Sequence, residues 1–307
     1  SSCGSNTIHN HHSIVGVRRG PTMSFCKGSG NGADSTGRRP DVWRLSRALV
    51  MPWLSICLFV FLSGCQTREA RLTVSAAADL TDAFGEIGRQ FTAATGMPVS
   101  FNFGSTGQLA QQIEQGAPVD IFAAASVDYL DDLERKGRIV PATRRRYGTG
   151  RLVVWSRHDR PTRIQSLADL GQPGIERIAI ANPEHAPYGI AAREALITAG
   201  LWERITPRLI LAENVRQTLR YAESGDVDAA LVALSLCYRN REDGAPAGHF
   251  ILVPQELHRP LIQEMAIISG TAQLAAARRF SDLVWSDVGR EILVRYGFSV
   301  GESENQP

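Results

Sequence analysis

Four short segments of this sequence place small residues directly before a helical pattern, a combination that can bind an anion. Small residues leave main-chain N–H groups accessible, and the first N–H groups of a helix have no partner within the helix. The helix dipole also favours negative charge at that end. The four segments are Ala77-Ala78-Asp79, Gly104-Ser105-Thr106-Gly107, Pro187-Tyr188-Gly189 and Glu213-Asn214-Val215.

Hydroxyl groups in two of these segments add side-chain donors, on Ser105, Thr106 and Tyr188. The Gly-Lys-Ser/Thr ending of a phosphate loop is absent, so nucleotide binding is not expected. The sequence therefore predicts a site in which neutral N–H and O–H groups surround a small oxyanion.

Residues suited to acid–base or nucleophilic chemistry are present but form no recognisable pattern. Glu184 and His185 are adjacent, adjacent residues seldom converge on one centre, and no second His stands at metal-ligand spacing. Ser235 lacks the Gly-x-Ser-x-Gly context of a hydrolase nucleophile. We expect a structural or capping role for His185 and no enzymatic activity, with a hydrolytic enzyme as the alternative.

The elements that must position the four segments alternate between strand and helix patterns. Hydrophobic spacing predicts helices after residue 79, from 109, over 127–136, from 187, from 215, and over 271–285 and 287–295. Asp79 stands where the N-cap of the first of these helices is expected. Strands are predicted over 72–76, 99–103, 121–123, 152–155, 178–181, near 209, and over 229–233 and 261–268.

This alternation predicts an α/β fold with mainly parallel sheets. The length allows two lobes, with the strands at 152–155 and 261–268 as the crossings between them. We expect one lobe to contain residues 70–150 and 265–300, and the other to contain residues 151–264. In such sheets ligands bind beyond the carboxyl ends of the strands, where the four segments fall.

The charge of the chain is unevenly distributed. Residues 1–65 contain seven of the 33 Lys and Arg residues and two of the 31 acidic residues, so the remainder has a net charge of −3. That remainder has no polybasic tract suited to nucleic acid. We interpret its densest basic stretch, Arg144-Arg145-Arg146, as a solvated turn.

The N-terminal segment resembles a targeting signal. Arg44 and Arg47 precede an apolar stretch over 52–61 that is too short to span a bilayer. Leu62-Ser63-Gly64-Cys65 follows and resembles a bacterial lipobox, which implies cleavage before Cys65 and lipid attachment to its sulfur. We therefore interpret residues 1–64 as a disordered or upstream segment plus a lipoprotein signal peptide. Cys237 would then have no thiol partner, and we expect it to pack as a small hydrophobic residue.

Several segments together resemble one protein family. They are the stretch from Leu72 to Asp120, Asn182 to Gly189, Ala212 to Arg216, and the ending Arg295-Tyr296-Gly297-Phe298. Their order and content resemble the molybdate-binding proteins of ABC transporters over roughly residues 71–299. The resemblance implies a two-lobed type II periplasmic-binding fold, with each lobe a mainly parallel sheet flanked by helices and hinge strands between the lobes.

The resemblance also implies which positions contact the anion. They are Asp79 with Ala78 beside it, Thr106 with Ser105 beside it, Tyr188, and the main-chain N–H of Val215. Two positions depart from the family pattern. Asp79 replaces a serine, and we expect its carboxylate to turn into its own helix and bond the N–H of Thr81 or Asp82. Ala233 replaces a tyrosine, and we expect Tyr188 to present its hydroxyl instead.

The function implied is that of the extracytoplasmic binding component of an ABC importer, with molybdate or tungstate as ligand. Sulfate or phosphate is the alternative ligand. We expect no cofactor, and molybdenum present only within the oxyanion. The expected partners are the ABC permease and its ATPase, and the membrane through a lipid anchor at Cys65, but no nucleic acid. The resemblance further implies a monomer, located in the periplasm or at the cell surface.

Overall fold

The structure is a computed structural model that describes residues 70–159, 163–238 and 248–301. These residues all belong to one compact unit, residues 68–307. The predicted signal peptide and Cys65 lie outside the described residues.

Ten strands are present in the described residues. They are β1 (Leu72–Ala77), β2 (Val99–Gly104), β3 (Ile121–Ala124), β4 (Arg145–Gly150), β5 (Leu152–Ser156), β6 (Ile178–Ala181), β7 (Leu209–Ala212), β8 (Ala229–Ala233), β9 (His249–Leu252) and β10 (Leu261–Ile267). Strands β4 and β9 were not predicted.

Eight α-helices are present in the same residues. They are α1 (Thr81–Thr95), α2 (Thr106–Glu114), α3 (Val127–Arg135), α4 (Pro187–Thr198), α5 (Trp202–Ile205), α6 (Val215–Ser224), α7 (Leu274–Trp285) and α8 (Asp287–Arg295). The short α5 was not predicted, and α7 begins three residues later than expected.

The strands form two five-stranded sheets, in the orders β2-β1-β3-β10-β4 and β7-β6-β8-β5-β9. In the first sheet β1 is parallel to β2 and β3, and β10 is antiparallel to both of its neighbours. The second sheet has the same design, with β5 as its antiparallel strand. The expected two-lobed α/β architecture is confirmed, and each sheet is mixed, with two parallel and two antiparallel pairings.

The chain passes between the sheets at two points. It leaves the first sheet at Arg151, because β4 ends at Gly150 and β5 begins at Leu152. It returns between β9 and β10, because β10 pairs with β4 from Leu261 onward. The lobe boundary expected at residues 264 and 265 is therefore wrong, since it falls inside a strand that pairs along its whole length in the first sheet.

The basic stretch is also different from the expectation. Arg145 and Arg146 form the start of β4 and not a turn. Arg144 forms ion pairs with Asp131, Glu134 and Glu264, so its charge is neutralised within the first lobe.

The apolar positions identified by spacing form the core, as in α1. Its buried residues Ala83, Phe84, Ile87 and Phe91 face the sheet, and the helix ends at Gly96, whose φ of 72° favours glycine. Cys237 lies in the same buried cluster.

Candidate functional site

A small cavity, with about 10 Å³ of space open to a water-sized molecule, lies where loops of both lobes meet. Its first-lobe side follows the carboxyl ends of β1, β2 and β3, and its second-lobe side follows β6 and β7. No basic side chain is present among the described residues that line it. The lining residues are Ala77, Ala78, Asp79, Gly104, Ser105, Thr106, Ala125, Ala186, Pro187, Tyr188, Asn214 and Val215.

All six residues expected at the site line this one cavity: Ala78, Asp79, Ser105, Thr106, Tyr188 and Val215. The fold thus brings together segments that are more than 130 residues apart in the sequence, at the sheet edges where α/β proteins bind ligands.

Three helix starts direct main-chain N–H groups to the cavity wall. Thr106 is the first residue of α2, Tyr188 the second of α4, and Val215 the first of α6. No intrahelical carbonyl is available to these N–H groups. The Asn214 side chain accepts hydrogen bonds from the N–H groups of Arg216 and Gln217, at 3.1 and 3.0 Å. It forms no such bond with the N–H group of Val215.

The three candidate hydroxyl groups differ in what they can offer a ligand. The Thr106 Oγ1 atom accepts a hydrogen bond from the N–H of Ala125 at 3.2 Å, so its own hydrogen can be donated. Ser105 donates to the carbonyl of His185 at 2.7 Å. Tyr188 donates to the Asp79 carboxyl at 3.0 Å. Only the Thr106 hydroxyl therefore retains a hydrogen that none of these contacts uses.

The expectation that Asp79 caps its own helix is wrong. A 3-10 turn, Ala78–Leu80, separates it from α1, whose N-cap is Leu80 and has no side-chain cap bond. The Asp79 Oδ2 atom instead accepts hydrogen bonds from Tyr188 at 3.0 Å and from Gln263 at 2.5 Å. The added turn aims the carboxyl at the facing lobe and away from the N–H groups of α1.

The expected substitution of Tyr188 for the tyrosine missing at Ala233 is not what the structure shows. Ala233 is buried at the end of β8. The Tyr188 ring does reach the cavity, but its hydroxyl hydrogen is used by Asp79.

Sequence reasoning missed the residues that complete a buried polar network around Asp79. The Gln263 side chain donates to Asp79 and to the Tyr188 oxygen at 3.2 Å, and accepts from Tyr147 at 2.9 Å. Ser235 donates to the main-chain carbonyl of Asp79 at 2.8 Å. One signal could have identified Gln263. Side chains alternate between the two faces of a strand, so Gln263 lies on the same face of β10 as the apolar residues Leu261 and Met265. It is therefore a polar residue on the buried face of that strand.

This network changes the acidity of its members. Burial raises the pKa of Asp79 to about 6, although its hydrogen bonds from Gln263 and Tyr188 act in the opposite direction. Burial, together with the nearby Asp79, raises the pKa of Tyr188 and of Tyr147 well above the ordinary value. A buried carboxyl with a raised pKa at the wall of a cleft is typical of functional sites.

His185 joins the two lobes beside the cavity. Its carbonyl accepts hydrogen bonds from Ser105 at 2.7 Å, from the N–H of Gly107 at 3.0 Å and from Tyr129 at 3.3 Å. Its Nδ1 atom lies 2.8 Å from the Ser105 Oγ atom. Since Ser105 gives its hydrogen to the carbonyl, Nδ1 donates to Oγ, which is the reverse of the transfer that would activate a nucleophile. The expected structural role of His185 is what the structure shows.

No group of three or more His, Cys, Asp or Glu side chains in the described residues could hold a metal ion. No helix in these parts of the chain is long and apolar enough to cross a bilayer.

Known proteins are similar to this chain in sequence and fold. The profile of the family described as bacterial extracellular solute-binding protein matches residues 72–299. The molybdate-binding protein ModA of Rhodobacter capsulatus is 33% identical over 72% of this chain and 85% of its own length. The chain belongs to the molybdate-binding family of bacterial extracellular solute-binding proteins.

The fold of this solute-binding protein agrees with that assignment. The periplasmic molybdate-binding protein of Azotobacter vinelandii superposes with a TM-score of 0.71 at 28% identity, covering 76% of this chain and all of that one. A Bacillus subtilis relative, the putative ABC transporter substrate-binding lipoprotein YvgL, is 28% identical over 80% of this chain and 95% of its own length. The relatives are binding proteins, and the family is extracellular.

Proposed function

We propose that this chain is the substrate-binding component of an ABC importer and that it captures molybdate or tungstate in the cleft between its lobes. The observation that supports this most directly is the cavity, which gathers three helix N-termini and the Thr106 hydroxyl without a basic side chain among its described lining residues. Neutral donors bind a dianion and also release it when the lobes open.

The expected affinity is consistent with neutral donors. A hydrogen bond to a charged group contributes about 1.5–3 kcal/mol. The three helix N–H groups and the Thr106 hydroxyl would together supply about 6–12 kcal/mol before ordering costs, which is compatible with micromolar binding. No cofactor is needed for this function, and molybdenum would be present only inside the oxyanion.

Isothermal titration of the purified protein with molybdate, tungstate, sulfate and phosphate tests the proposal. Saturable binding of molybdate or tungstate at micromolar or lower concentration, with sulfate and phosphate at least a hundredfold weaker, is the expected result. Tight binding of sulfate or phosphate alone would mean that the proposed ligand is wrong, while the proposed role in transport would stand. Absence of binding to all four would contradict the proposal.

The hydrolytic alternative can be tested separately. It requires turnover of a substrate that is abolished by His185→Ala. The contacts of His185 support a structural role instead, because its carbonyl joins Ser105 and Gly107 of the facing lobe.

The proposed partners are the importer permease, which would contact the outer faces of both lobes, and its ATPase. We also propose that the protein works as a monomer held to the membrane by lipid on Cys65. Expression in a bacterial host and mass measurement of the mature protein test the anchor. The expected N-terminus is a lipid-modified Cys65, and Cys65→Ser should abolish that modification. An unmodified mature protein that begins elsewhere would contradict the anchor and leave the binding function intact.

A further inference from the structure

The Asp79 carboxyl has one oxygen that the protein leaves without a partner. Asp79 is 2% exposed and lines the cavity, and its Oδ1 atom is buried without a hydrogen-bond partner among the described residues. A buried polar atom without a partner is costly and calls for an explanation. Because Asp79 lines the cavity, a ligand bound there could supply that partner.

The other oxygen of Asp79 determines where a proton would be held. Oδ2 accepts hydrogen bonds from Tyr188 and from Gln263. Tyr188 has a single hydroxyl hydrogen, and the other hydrogen of the Gln263 amide is directed to the Tyr188 oxygen. Since Oδ2 accepts twice, the hydrogen of a neutral Asp79 belongs on Oδ1, from which it can be donated to a ligand.

Among the described residues, no positively charged side chain offsets Asp79. The titratable groups that face its carboxyl are the hydroxyls of Tyr188 on α4 and Tyr147 on β4. The turn that contains Asp79 also packs against α1 and α6. Asp82 on α1 and Arg216 on α6 form no hydrogen bond or ion pair with the carboxyl in the described structure, and no charged side chain is among the causes of its raised pKa.

An ionised Asp79 is therefore incompatible with a dianion in the same cavity. Two like charges at contact distance in a buried site do not both persist, and a proton is taken up to remove one of them. The same proton can be described as residing on the carboxyl or on the anion, because the pair titrates as a unit.

We propose that each dianion captured in the cleft brings one proton with it, and that the Asp79 Oδ1 atom shares this proton with an oxygen of the anion. This inference rests on the oxyanion-binding function proposed above. The proton comes from solvent, forms a hydrogen bond between the carboxyl and the anion, and returns to solvent on release.

Affinity should consequently fall as pH rises. Where free Asp79 is ionised and the complex holds the extra proton, the dissociation constant should increase about tenfold per pH unit. Below about pH 6 the free carboxyl is already neutral, and the affinity should level off. Molybdate keeps both charges between pH 7 and 8.5, so the slope in that range reports on the protein.

Titration calorimetry with molybdate in two buffers of different ionisation heat, such as PIPES and Tris at pH 7.5, counts the protons directly. We expect close to one proton taken up per anion. Asp79→Asn should reduce the uptake to near zero and remove the pH dependence of the dissociation constant. Asp79→Ser is a second variant with the same expected outcome if the amide disturbs folding.

Asp82→Asn is the matched control, because Asp82 also has a buried oxygen without a partner and lies on the adjacent helix. This variant should keep the uptake of one proton. Binding of molybdate by the wild-type protein without proton uptake, or uptake abolished only by Asp82→Asn, would overturn the inference and leave the proposed function standing. Absence of binding to any oxyanion would contradict both.

Discussion

The Tyr188 hydroxyl donates a hydrogen bond to the Asp79 carboxyl at 3.0 Å, and the two residues belong to different lobes. Asp79 follows β1 of the first sheet, and Tyr188 is the second residue of α4 in the second lobe. The packing requires glycine at position 150, since a Cβ atom there would lie 2.1 Å from the Tyr188 oxygen. A bond of this kind exists only when the lobes are together, so it stabilises the closed form.

Tyr188→Phe should therefore weaken anion binding. A hydrogen bond between neutral groups, as proposed for Asp79 in the complex, contributes about 0.5–1.5 kcal/mol, so we expect the dissociation constant for molybdate to rise about two- to tenfold. Calorimetric titration measures it. Tyr221→Phe is the control, because that hydroxyl bonds Gln217 on the same helix and is not part of the cavity wall. Unchanged affinity in Tyr188→Phe would show that this bond does not stabilise the binding form.

Thr106→Val should reduce both affinity and stability. The substitution removes a hydroxyl that accepts from the buried N–H of Ala125 and has a hydrogen to donate to the ligand. We expect the dissociation constant for molybdate to rise roughly 10- to 100-fold, and the free energy of unfolding to fall by about 1–3 kcal/mol. Titration and urea denaturation measure the two effects.

Thr143→Val is the control that separates the effect on affinity from the effect on stability. The Thr143 hydroxyl accepts from the N–H of Ile267 at 3.2 Å, as Thr106 does from Ala125, but Thr143 does not line the cavity. Its hydroxyl also donates to the carbonyl of Val140 at 2.7 Å, so Thr143→Val should show an equal or larger loss of stability with affinity unchanged. An equal loss of affinity in both variants would mean that the Thr106 hydroxyl does not contact the ligand.

Gly107→Ala should oppose closure. A Cβ atom at this position would lie 2.7 Å from the His185 carbonyl oxygen and 2.9 Å from the Tyr129 hydroxyl. The added methyl group would push the Gly107 segment of the first lobe away from His185 of the second lobe. We therefore expect molybdate binding to be at least tenfold weaker. Gly85→Ala on α1 is the control, where the nearest atom would be 3.8 Å away. That variant should keep the affinity and gain up to about 1 kcal/mol of stability from helix propensity. Equal affinities of the two variants would contradict the closing role of the His185 contacts.

The features that could be predicted are those that local chemistry determines. Hydrophobic spacing located β6 and β8 at their observed bounds. The starts of α4 at Pro187 and α6 at Val215 were recognisable because N-terminal chemistry depends on only a few consecutive residues. The cavity follows from placing those starts at the carboxyl ends of parallel strands.

The features that could not be predicted depend on distant partners. Asp79 has the local signature of an N-cap, but Gln263, 184 residues away, and Tyr188, 109 residues away, compete for its carboxyl. Strand β4 begins with two arginines, so its composition indicates a turn until its pairing with β10 is known. In both cases tertiary contacts override a local preference.

The buried Asp79 should also make the stability of the ligand-free protein depend on pH. Its pKa is raised from 3.8 to about 6, so the folded state binds this proton more tightly than the unfolded state. The stabilisation is complete below about pH 4 and is lost as pH rises through about 6. A rise of about two pKa units corresponds to roughly 3 kcal/mol.

Relative to Asp79→Asn, the wild-type free energy of unfolding should fall by about that amount between pH 4 and pH 7, as measured by urea denaturation. Asp226→Asn, on the exposed turn before β8, reports the effect of the substitution alone. A constant difference between wild type and Asp79→Asn across this range would show that Asp79 titrates like an exposed carboxyl.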